Sequence, residues 1–269
     1  MLLPRVLTAL FGIPVVLLLI RAGGPAYAVF VFTIIALSLY EFATLMKLGA
    51  KPVQAPMLYL FGLLLPAALY FDRYSAAQAG GDNFTGFVIA LTVIGVMSYE
   101  LFSAKKYLER IGLTLLGIFM ISWCLFHLVA IRGLRPAGLH LTLLLIVTVW
   151  IMDTAAYFLG KSFGRRQLSS ISPKKTWEGA AAGFLAAILT AWGISKLTGG
   201  TVTPLFAVGA GVLIGVFGQV SDIAESMLKR AVGAKDSSNL LPGHGGILDR
   251  FDSYIFLAPV IYYYAVFAL

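Results

Sequence analysis

Nine apolar runs divide this chain of 269 residues, each close to the length that a helix needs to cross a lipid bilayer. A membrane-spanning helix takes roughly 20 apolar residues, and the breaks between the runs carry glycine, proline or charge, which interrupt helices. The predicted spans are 4–20, 26–46, 56–71, 84–102, 111–131, 139–160, 177–197, 204–223 and 253–269. The sequence therefore predicts an all-α integral membrane protein with about nine transmembrane helices.

Composition excludes an ordinary soluble domain. The chain is 59% hydrophobic and 12% charged, whereas a soluble domain has about 25% charged residues. The first apolar run lacks a small-residue cleavage site, so we expect a retained helix rather than a signal peptide. The net charge is +8, but no basic tract is interleaved with aromatic residues, and we expect no nucleic-acid partner.

The basic residues predict how the chain is oriented. Fifteen of the 20 lysines and arginines lie at the N-terminus and in the loops after even-numbered predicted spans. The other five are Arg21, Arg73, Arg132, Arg135 and Lys196. Because positive residues favour the cytoplasmic side, we expect the N-terminus and the polar loops to face the cytoplasm, in the cytoplasmic (inner) membrane.

The two halves of the chain differ in their acidic residues. Seven of the 12 acids follow residue 150, so chemistry is expected in the C-terminal half. We divide the chain into N-terminal transmembrane helices, residues 1–137, and a catalytic transmembrane region with two cytoplasmic polar loops, residues 138–269. No internal repeat is evident, which argues against a transporter built from inverted repeats.

The densest polar segment extends from Ser226 to Asp252 and lies between apolar runs. Such a cluster beside lipid is costly unless it binds something, and its two signs of charge suggest metal ions and phosphates. Just before and inside it, one face of a helix would carry four polar residues. They are Asp222, Glu225, Ser226 and Lys229. The alternative is a polar helix end with a simple Glu225–Lys229 pair.

Two more carboxylates, Asp249 and Asp252, flank Arg250 just before the last predicted span. Carboxylates are natural ligands of Mg²⁺, which also binds substrate phosphates; alternatively, they complement the positive end of the last helix. His244 lies in the glycine-rich turn 242–246. It would donate to a phosphate or transfer a proton, or else have a structural hydrogen bond.

A second cluster surrounds the loop after the sixth predicted span. Asp153 lies inside that span, where a carboxylate is a functional candidate by default, although a structural pair with a basic residue would also explain it. Ser172 and Pro173 predict the N-cap and first residue of the next helix. Lys174 and Lys175 would then form an anion site at this helix start; the alternative is an ordinary positive loop on the cytoplasmic side.

Small residues predict close helix contacts in the seventh and eighth predicted spans. Gly179 and Gly183 are four residues apart, as are Gly211 and Gly215. This spacing lets two helix backbones approach each other. It predicts packing and gives no information about a reaction.

The segment 226–252 resembles the signature of the phosphatidate cytidylyltransferase family, also called CDP-diacylglycerol synthases. The matching residues are Ser226, Leu228, Lys229, Arg230, Lys235, Asp236, Leu241, Pro242, His244, Gly245, Gly246, Asp249, Arg250, Phe251 and Asp252. Asp153, Tyr157 and the run 172–178 also resemble the family's preceding cytoplasmic loop. The N-terminal half is similar only as a hydrophobic region with several spans.

The resemblance implies that CTP and phosphatidic acid react to give CDP-diacylglycerol and pyrophosphate. It also implies Mg²⁺, a second cation such as K⁺, contact with membrane lipids and a homodimer. The expected metal ligands are Asp222 and Asp249, with Asp153 and Asp252 as further candidates. The expected catalytic residues are Lys229, Arg230, His244 and Arg250. The expected substrate-binding residues are Ser172, Lys174, Lys175, Thr176, Ser226 and Lys235.

Two other functions fit part of the pattern. A transporter or channel for a phosphorylated solute would use the same charges along its path, but the polar residues gather at one membrane face, which argues against it. A related lipid nucleotidyltransferase or kinase acting on a polyprenol or an ether lipid would use the same site.

Overall fold

The computed structural model describes residues 3–75, 83–238, 240 and 245–269. Over these residues the chain forms ten α-helices and one π-helical segment, Ile118–Trp123, with no β-strand. The helices are α1 (Leu3–Ala22), α2 (Gly24–Leu48), α3 (Ala55–Ser75), α4 (Phe84–Leu101), α5 (Leu108–Gly117), α6 (Cys124–Arg132), α7 (Gly138–Phe163), α8 (Trp177–Ser195), α9 (Pro204–Ala231) and α10 (Leu248–Ala268).

Eight stretches in the described part of the chain are long and apolar enough to cross a membrane. One of them, Leu108–Arg132, continues without a break through α5, the π-helical segment and α6. The apolar stretch Gly12–Ala22 of α1 adds a shorter ninth. The predicted all-α integral membrane fold is therefore confirmed.

The loops after even-numbered spans meet at one end of the bundle, which we call the polar end. Lys51, after α2, lies 2.9 Å from Glu109 near the start of α5. Gly49 packs so closely against Val232, at the end of α9, that a methyl group on Gly49 would overlap with it. These contacts join loops that are far apart in the sequence, as the alternation of the predicted spans requires.

The loops after odd-numbered spans gather at the opposite end. Arg132, at the end of α6, donates from Nε to the carbonyl oxygen of Ile20 at 2.6 Å. Arg73, near the end of α3, donates to the hydroxyl of Tyr262 in the second half of α10 at 3.2 Å. The bundle therefore separates the two sets of loops that the distribution of basic residues predicted.

Helices α7, α8 and α9 pack closely through glycines. A Cβ on Gly179 would lie 2.7 Å from the carbonyl oxygen of Ala156 and 2.9 Å from the Cα of Gly160, both in α7. A Cβ on Gly211 would lie 2.7 Å from the Cα of Ile188 in α8. The predicted close contacts are confirmed, and they pack α8 against both α7 and α9.

Two predicted helix ends at the polar end are wrong. Helix α9 continues past 223 to Ala231, and α10 begins at Leu248 rather than at 253. Apolar runs end where charges begin, but the backbone continues to form helical hydrogen bonds when the polar side chains have partners. Glu225 and Lys229, one helical turn apart, form such a pair at 2.6 Å. Asp249 and Asp252 consequently lie inside the first turns of α10.

The predicted start of α8 at Ser172 and Pro173 is also wrong. The N-cap is Thr176, whose hydroxyl oxygen accepts from the amide of Gly179 at 3.2 Å. The preceding residues instead form a turn, closed by Lys175 N–H donating to the carbonyl of Ser172 at 3.0 Å. An antiparallel bridge between residues 167 and 176 holds this loop in an extended form. The two lysines therefore precede the helix and do not lie at its first amides.

Candidate active site

Three aspartates from three helices lie near one another toward the polar end: Asp153 of α7, Asp222 of α9 and Asp252 of α10. We call them the aspartate cluster. The carboxyl groups of Asp222 and Asp252 are in contact with each other. Lys175 pairs with Asp222 Oδ2, and the hydroxyl of Ser253 donates to Asp222 Oδ1 at 3.2 Å. Asp153 is exposed and within electrostatic range of Asp222 and Lys175.

A buried serine fixes the register between α9 and α10. The hydroxyl of Ser221 donates to the carbonyl oxygen of Asp252 at 2.5 Å and accepts from the amide of Phe256 at 3.3 Å. The carbonyl of Asp252 and the amide of Phe256 are four residues apart, the spacing of a backbone hydrogen bond in an α-helix, and Ser221 contacts both groups. Because Asp222 follows Ser221 directly, this contact holds its carboxylate opposite that of Asp252.

A second group of charges, which we call the lysine cluster, consists of Glu225, Lys229 and Asp249. Lys229 Nζ lies 2.6 Å from Glu225 Oε2 and 2.6 Å from Asp249 Oδ1. Asp249 Oδ2 accepts from Ser237 N at 2.8 Å and from Gly246 N at 2.8 Å, and the Ser237 hydroxyl lies 2.9 Å from it. Charge-assisted bonds of this kind are strong. The predicted Glu225–Lys229 pair is confirmed, and it extends to a residue of the next helix.

The two clusters are neighbours, because Glu225 is within electrostatic range of both Asp222 and Asp249. Each aspartate has its own lysine partner: Lys175 for Asp222 and Lys229 for Asp249. Asp222 and Asp249 both have protein donors on both carboxylate oxygens, and Asp222 also has a second carboxyl group beside it. The prediction that Asp222 and Asp249 hold one metal ion together stays a prediction.

The aspartate cluster fits a cation by its chemistry. Two ionised carboxylates in contact repel each other, so a cation bound between them would be favourable. Carboxylate oxygens are also the ligands that Mg²⁺ prefers. Within the described ranges, however, no three His, Cys, Asp or Glu side chains are arranged to hold a metal ion. A cation bound here would have carboxylate oxygens of Asp222 and Asp252 as ligands, and its remaining ligands would come from substrate phosphates or water.

The other predicted cationic residues lie around these clusters. Arg230 donates to the carbonyl of Ala234 at 2.9 Å and so closes the turn after α9. Lys174, Lys235 and Arg250 are exposed, and Arg250 is within electrostatic range of Asp153. Their side chains are accessible to a soluble ligand, as a role in binding phosphates requires.

Of four further predicted residues, three have structural surroundings and one lies outside the residues that the structure describes. Ser172 and Thr176 form the turn and the N-cap described above, and Ser226 is half-buried on α9. Their roles in substrate binding stay predictions. His244 lies outside the residues that the structure describes.

Four residues of the site were not predicted. Ser221, Ser237 and Ser253 orient the aspartates, but isolated serines carry no signal in the sequence. Glu41 of α2 is fully buried and contacts the segment that holds Asp249. The sequence could have indicated Glu41, because it is an acidic residue inside the predicted apolar span 26–46. An acidic residue in such a span is a functional candidate.

An α-helical membrane protein with carboxylates beside lysines at one end has the features of a membrane enzyme that acts on phosphates. The chain belongs to the cytidylyltransferase family, whose model matches residues 3–268. It is therefore a nucleotidyltransferase, and the resemblance of segment 226–252 is confirmed at the level of the family.

Several bacterial proteins are similar over nearly their whole length. A phosphatidate cytidylyltransferase of Bacillus subtilis is 33% identical, with 96% of each chain covered. One from Synechocystis is 32% identical, covering 98% of this chain and 97% of the relative. One from Brucella suis is 32% identical, covering 98% and 93%. The similarity therefore includes the N-terminal half as well as the signature.

Proposed function

We propose that this protein transfers the cytidylyl group of CTP to phosphatidic acid, giving CDP-diacylglycerol and pyrophosphate. The observation that carries the proposal is the aspartate cluster, in which two carboxyl groups in contact lie beside Lys175. The names of the relatives, which match almost end to end, supply the substrates.

The reaction is a single in-line displacement. An oxygen of the lipid phosphate attacks the α-phosphorus of CTP and forms a new P–O bond, while the bond to the β-phosphate oxygen breaks and pyrophosphate leaves. The attacking phosphate is largely ionised near neutral pH, so no strong general base is needed. Catalysis then depends on positioning and on stabilising charge.

The cationic side chains supply much of that stabilisation. Lys175, which now holds Asp222, would bind a phosphate group of one substrate, and Lys174 lies next to it. Lys229 and the exposed Arg250 would neutralise the triphosphate and the departing pyrophosphate. Arg230 holds the end of α9 and so keeps Lys229 in place.

The acidic side chains would hold Mg²⁺, which supplies positive charge to the phosphate oxygens when bound. Asp222 and Asp252 have carboxyl groups in contact, and Asp153 lies within range. Asp249 could become a further metal ligand only if Lys229 moved away from the Asp249 Oδ1 atom. We also propose that the protein uses a second cation such as K⁺ and that it forms a homodimer.

The position of the site suits substrates from two phases. The site lies toward the polar end, so phosphatidic acid can keep its acyl chains in the bilayer while CTP enters from water. The excess of basic residues at this end supports a cytoplasmic location for it. We propose that the protein lies in the cytoplasmic membrane with this site facing inward.

Purified protein with CTP, phosphatidic acid and Mg²⁺ tests the proposal. We expect equal amounts of CDP-diacylglycerol and pyrophosphate, and loss of both when the divalent cation is chelated. Vesicles containing the protein should not take up labelled CTP. Uptake of CTP without product would support the transporter. Activity only with a polyprenol or an ether lipid would mean that this lipid, and not phosphatidic acid, is the substrate.

A further inference from the structure

Glu41 is a buried carboxylate that belongs to neither cluster. It lies near the polar end of α2 and is 0% exposed. Oε1 accepts from the hydroxyl of Ser238 at 2.6 Å and from the amide of Ile247 at 2.8 Å. Oε2 accepts from the hydroxyl of Ser237 at 2.9 Å and from the amide of Leu248 at 2.7 Å. Four donors therefore surround one carboxylate that has no contact with water.

The four donors come from the two sides of the segment between α9 and α10. Two are serines that follow α9, and two are amides at the start of α10. The first amides of a helix have no partner within the helix, and a negative charge at this end is favourable. Glu41 thus joins the N-terminal half of the chain to the segment that resembles the family signature, across 196 to 207 residues of sequence.

One donor links Glu41 directly to the lysine cluster. The hydroxyl of Ser237 lies 2.9 Å from Glu41 Oε2 and 2.9 Å from Asp249 Oδ2, so its single proton is shared between the two carboxylates. Asp249 in turn holds Lys229 through its other oxygen at 2.6 Å. The contacts therefore form a chain that starts at Glu41, passes through Ser237 and Asp249, and ends at Lys229.

The backbone leaves room for this carboxylate. A Cβ on Gly246 would lie 2.6 Å from Glu41 Oε2 and 2.7 Å from Oε1. Gly246 also donates its amide to Asp249 at 2.8 Å. A side chain at Gly246 would therefore displace either Glu41 or the backbone that holds Asp249.

We infer that Glu41 is a positioning residue for the transfer reaction, which orients Asp249 and Lys229 through Ser237 and the start of α10. The inference rests on the proposed function, because Lys229 and Asp249 have their roles in that reaction. Groups that orient a reactive residue have large effects, since a displacement of about 1 Å can cost roughly 100-fold in rate.

The test is Glu41→Gln, because glutamine keeps the size but turns an acceptor into a donor that faces other donors. Glu100→Gln is the matched control. Glu100 is also a buried carboxylate of the N-terminal half, but its partners are Arg110, Gln54 and Tyr107, which contact no residue of either cluster. We expect kcat to fall by about 100-fold in Glu41→Gln with the KM for CTP nearly unchanged, and to stay close to wild type in Glu100→Gln.

Hydrogen exchange supplies a readout that does not depend on activity. In Glu41→Gln the amides of Ile247 and Leu248 should exchange faster than in wild type, and in Glu100→Gln they should not change. Faster exchange with an unchanged kcat would show that Glu41 has only a structural role, and this would overturn the inference. Unchanged exchange of both amides in Glu41→Gln would also overturn it. Wild-type protein that forms no CDP-diacylglycerol would contradict the proposed function, while exchange still reports whether Glu41 holds the segment.

Ser237→Ala keeps the inference testable if Glu41→Gln does not fold. It removes only the hydroxyl that lies between Glu41 and Asp249, and leaves the Ser237 amide in place. We expect kcat to fall by about tenfold, the effect of one lost hydrogen bond to a charged group. Unchanged kcat in this variant would overturn the inference.

Discussion

Asp222 is the residue of the aspartate cluster with the most polar partners in the structure. It contacts Asp252, Lys175 and Ser253, which come from α10 and from the loop before α8. A carboxylate in such surroundings is costly to bury without compensation. Lys175 and Ser253 supply that compensation, because each donates to one oxygen of the Asp222 carboxylate.

Asp222→Asn should reduce the formation of CDP-diacylglycerol by about 100-fold or more, because it removes charge where phosphates react. Asp249→Asn should have a similar effect, since it removes the charge that holds Lys229. The measurement is turnover of purified protein with CTP and phosphatidic acid. Glu109→Gln is the control, because its exposed pair with Lys51 contributes only about 0–1 kcal/mol. Wild-type turnover in either aspartate variant would refute its role.

For single residues, the sequence predicted which side chains are candidates for the site, but not which of them contact one another. Asp153, Asp222, Asp249 and Asp252 all stand out as acids near or inside apolar runs. The contact between Asp222 and Asp252 depends on the register of α9 against α10, which Ser221 sets through a hydroxyl. Such a register depends on packing across helices, and spacing along one helix contains no information about it.

At the scale of helices, the number of spans was predictable and their ends were not. Apolar length identifies a span because the bilayer has a fixed thickness. It does not identify the end of a helix such as α9, which extends into the polar end where Glu225 and Lys229 pair. The start of α8 was missed because two signals competed, and the extended bridge from 167 to 176 was favoured over the cap at Ser172.

Gly179→Ala should destabilise the protein by about 1–3 kcal/mol, the cost of overpacking. The added Cβ would meet backbone atoms of α7 that cannot move aside, so α7 and α8 must separate. Gly193→Ala in the same helix is the control, because nothing lies within 4 Å of its Cβ position and alanine favours helix. Thermal unfolding in detergent measures both. Equal midpoints for the two variants would contradict the close contact.

At the scale of the whole molecule, the bundle has two chemically different ends. Polar loops, both clusters and most basic residues lie at one end, and the contacts of Arg73 and Arg132 mark the other. The sequence predicted this division from the alternation of spans. It did not predict that α2, from the N-terminal half, would contact the segment between α9 and α10, because a single acid gives no partner.

Cysteine labelling tests which end faces the cytoplasm. In a Cys124→Ala background, Lys51→Cys lies at the polar end and Lys196→Cys at the other. An impermeant maleimide added to intact spheroplasts should label residue 196 and not residue 51, and both after lysis. Labelling of residue 51 in intact spheroplasts would reverse the orientation.

In the proposed reaction the α-phosphorus of CTP passes directly to the lipid phosphate. CTP labelled separately at its α- and γ-phosphorus, incubated with the purified protein, phosphatidic acid and Mg²⁺, tests it most directly. We expect the α-label in the lipid and the γ-label in pyrophosphate. A γ-label in the lipid would indicate a kinase, and no labelled lipid from either nucleotide would contradict the account.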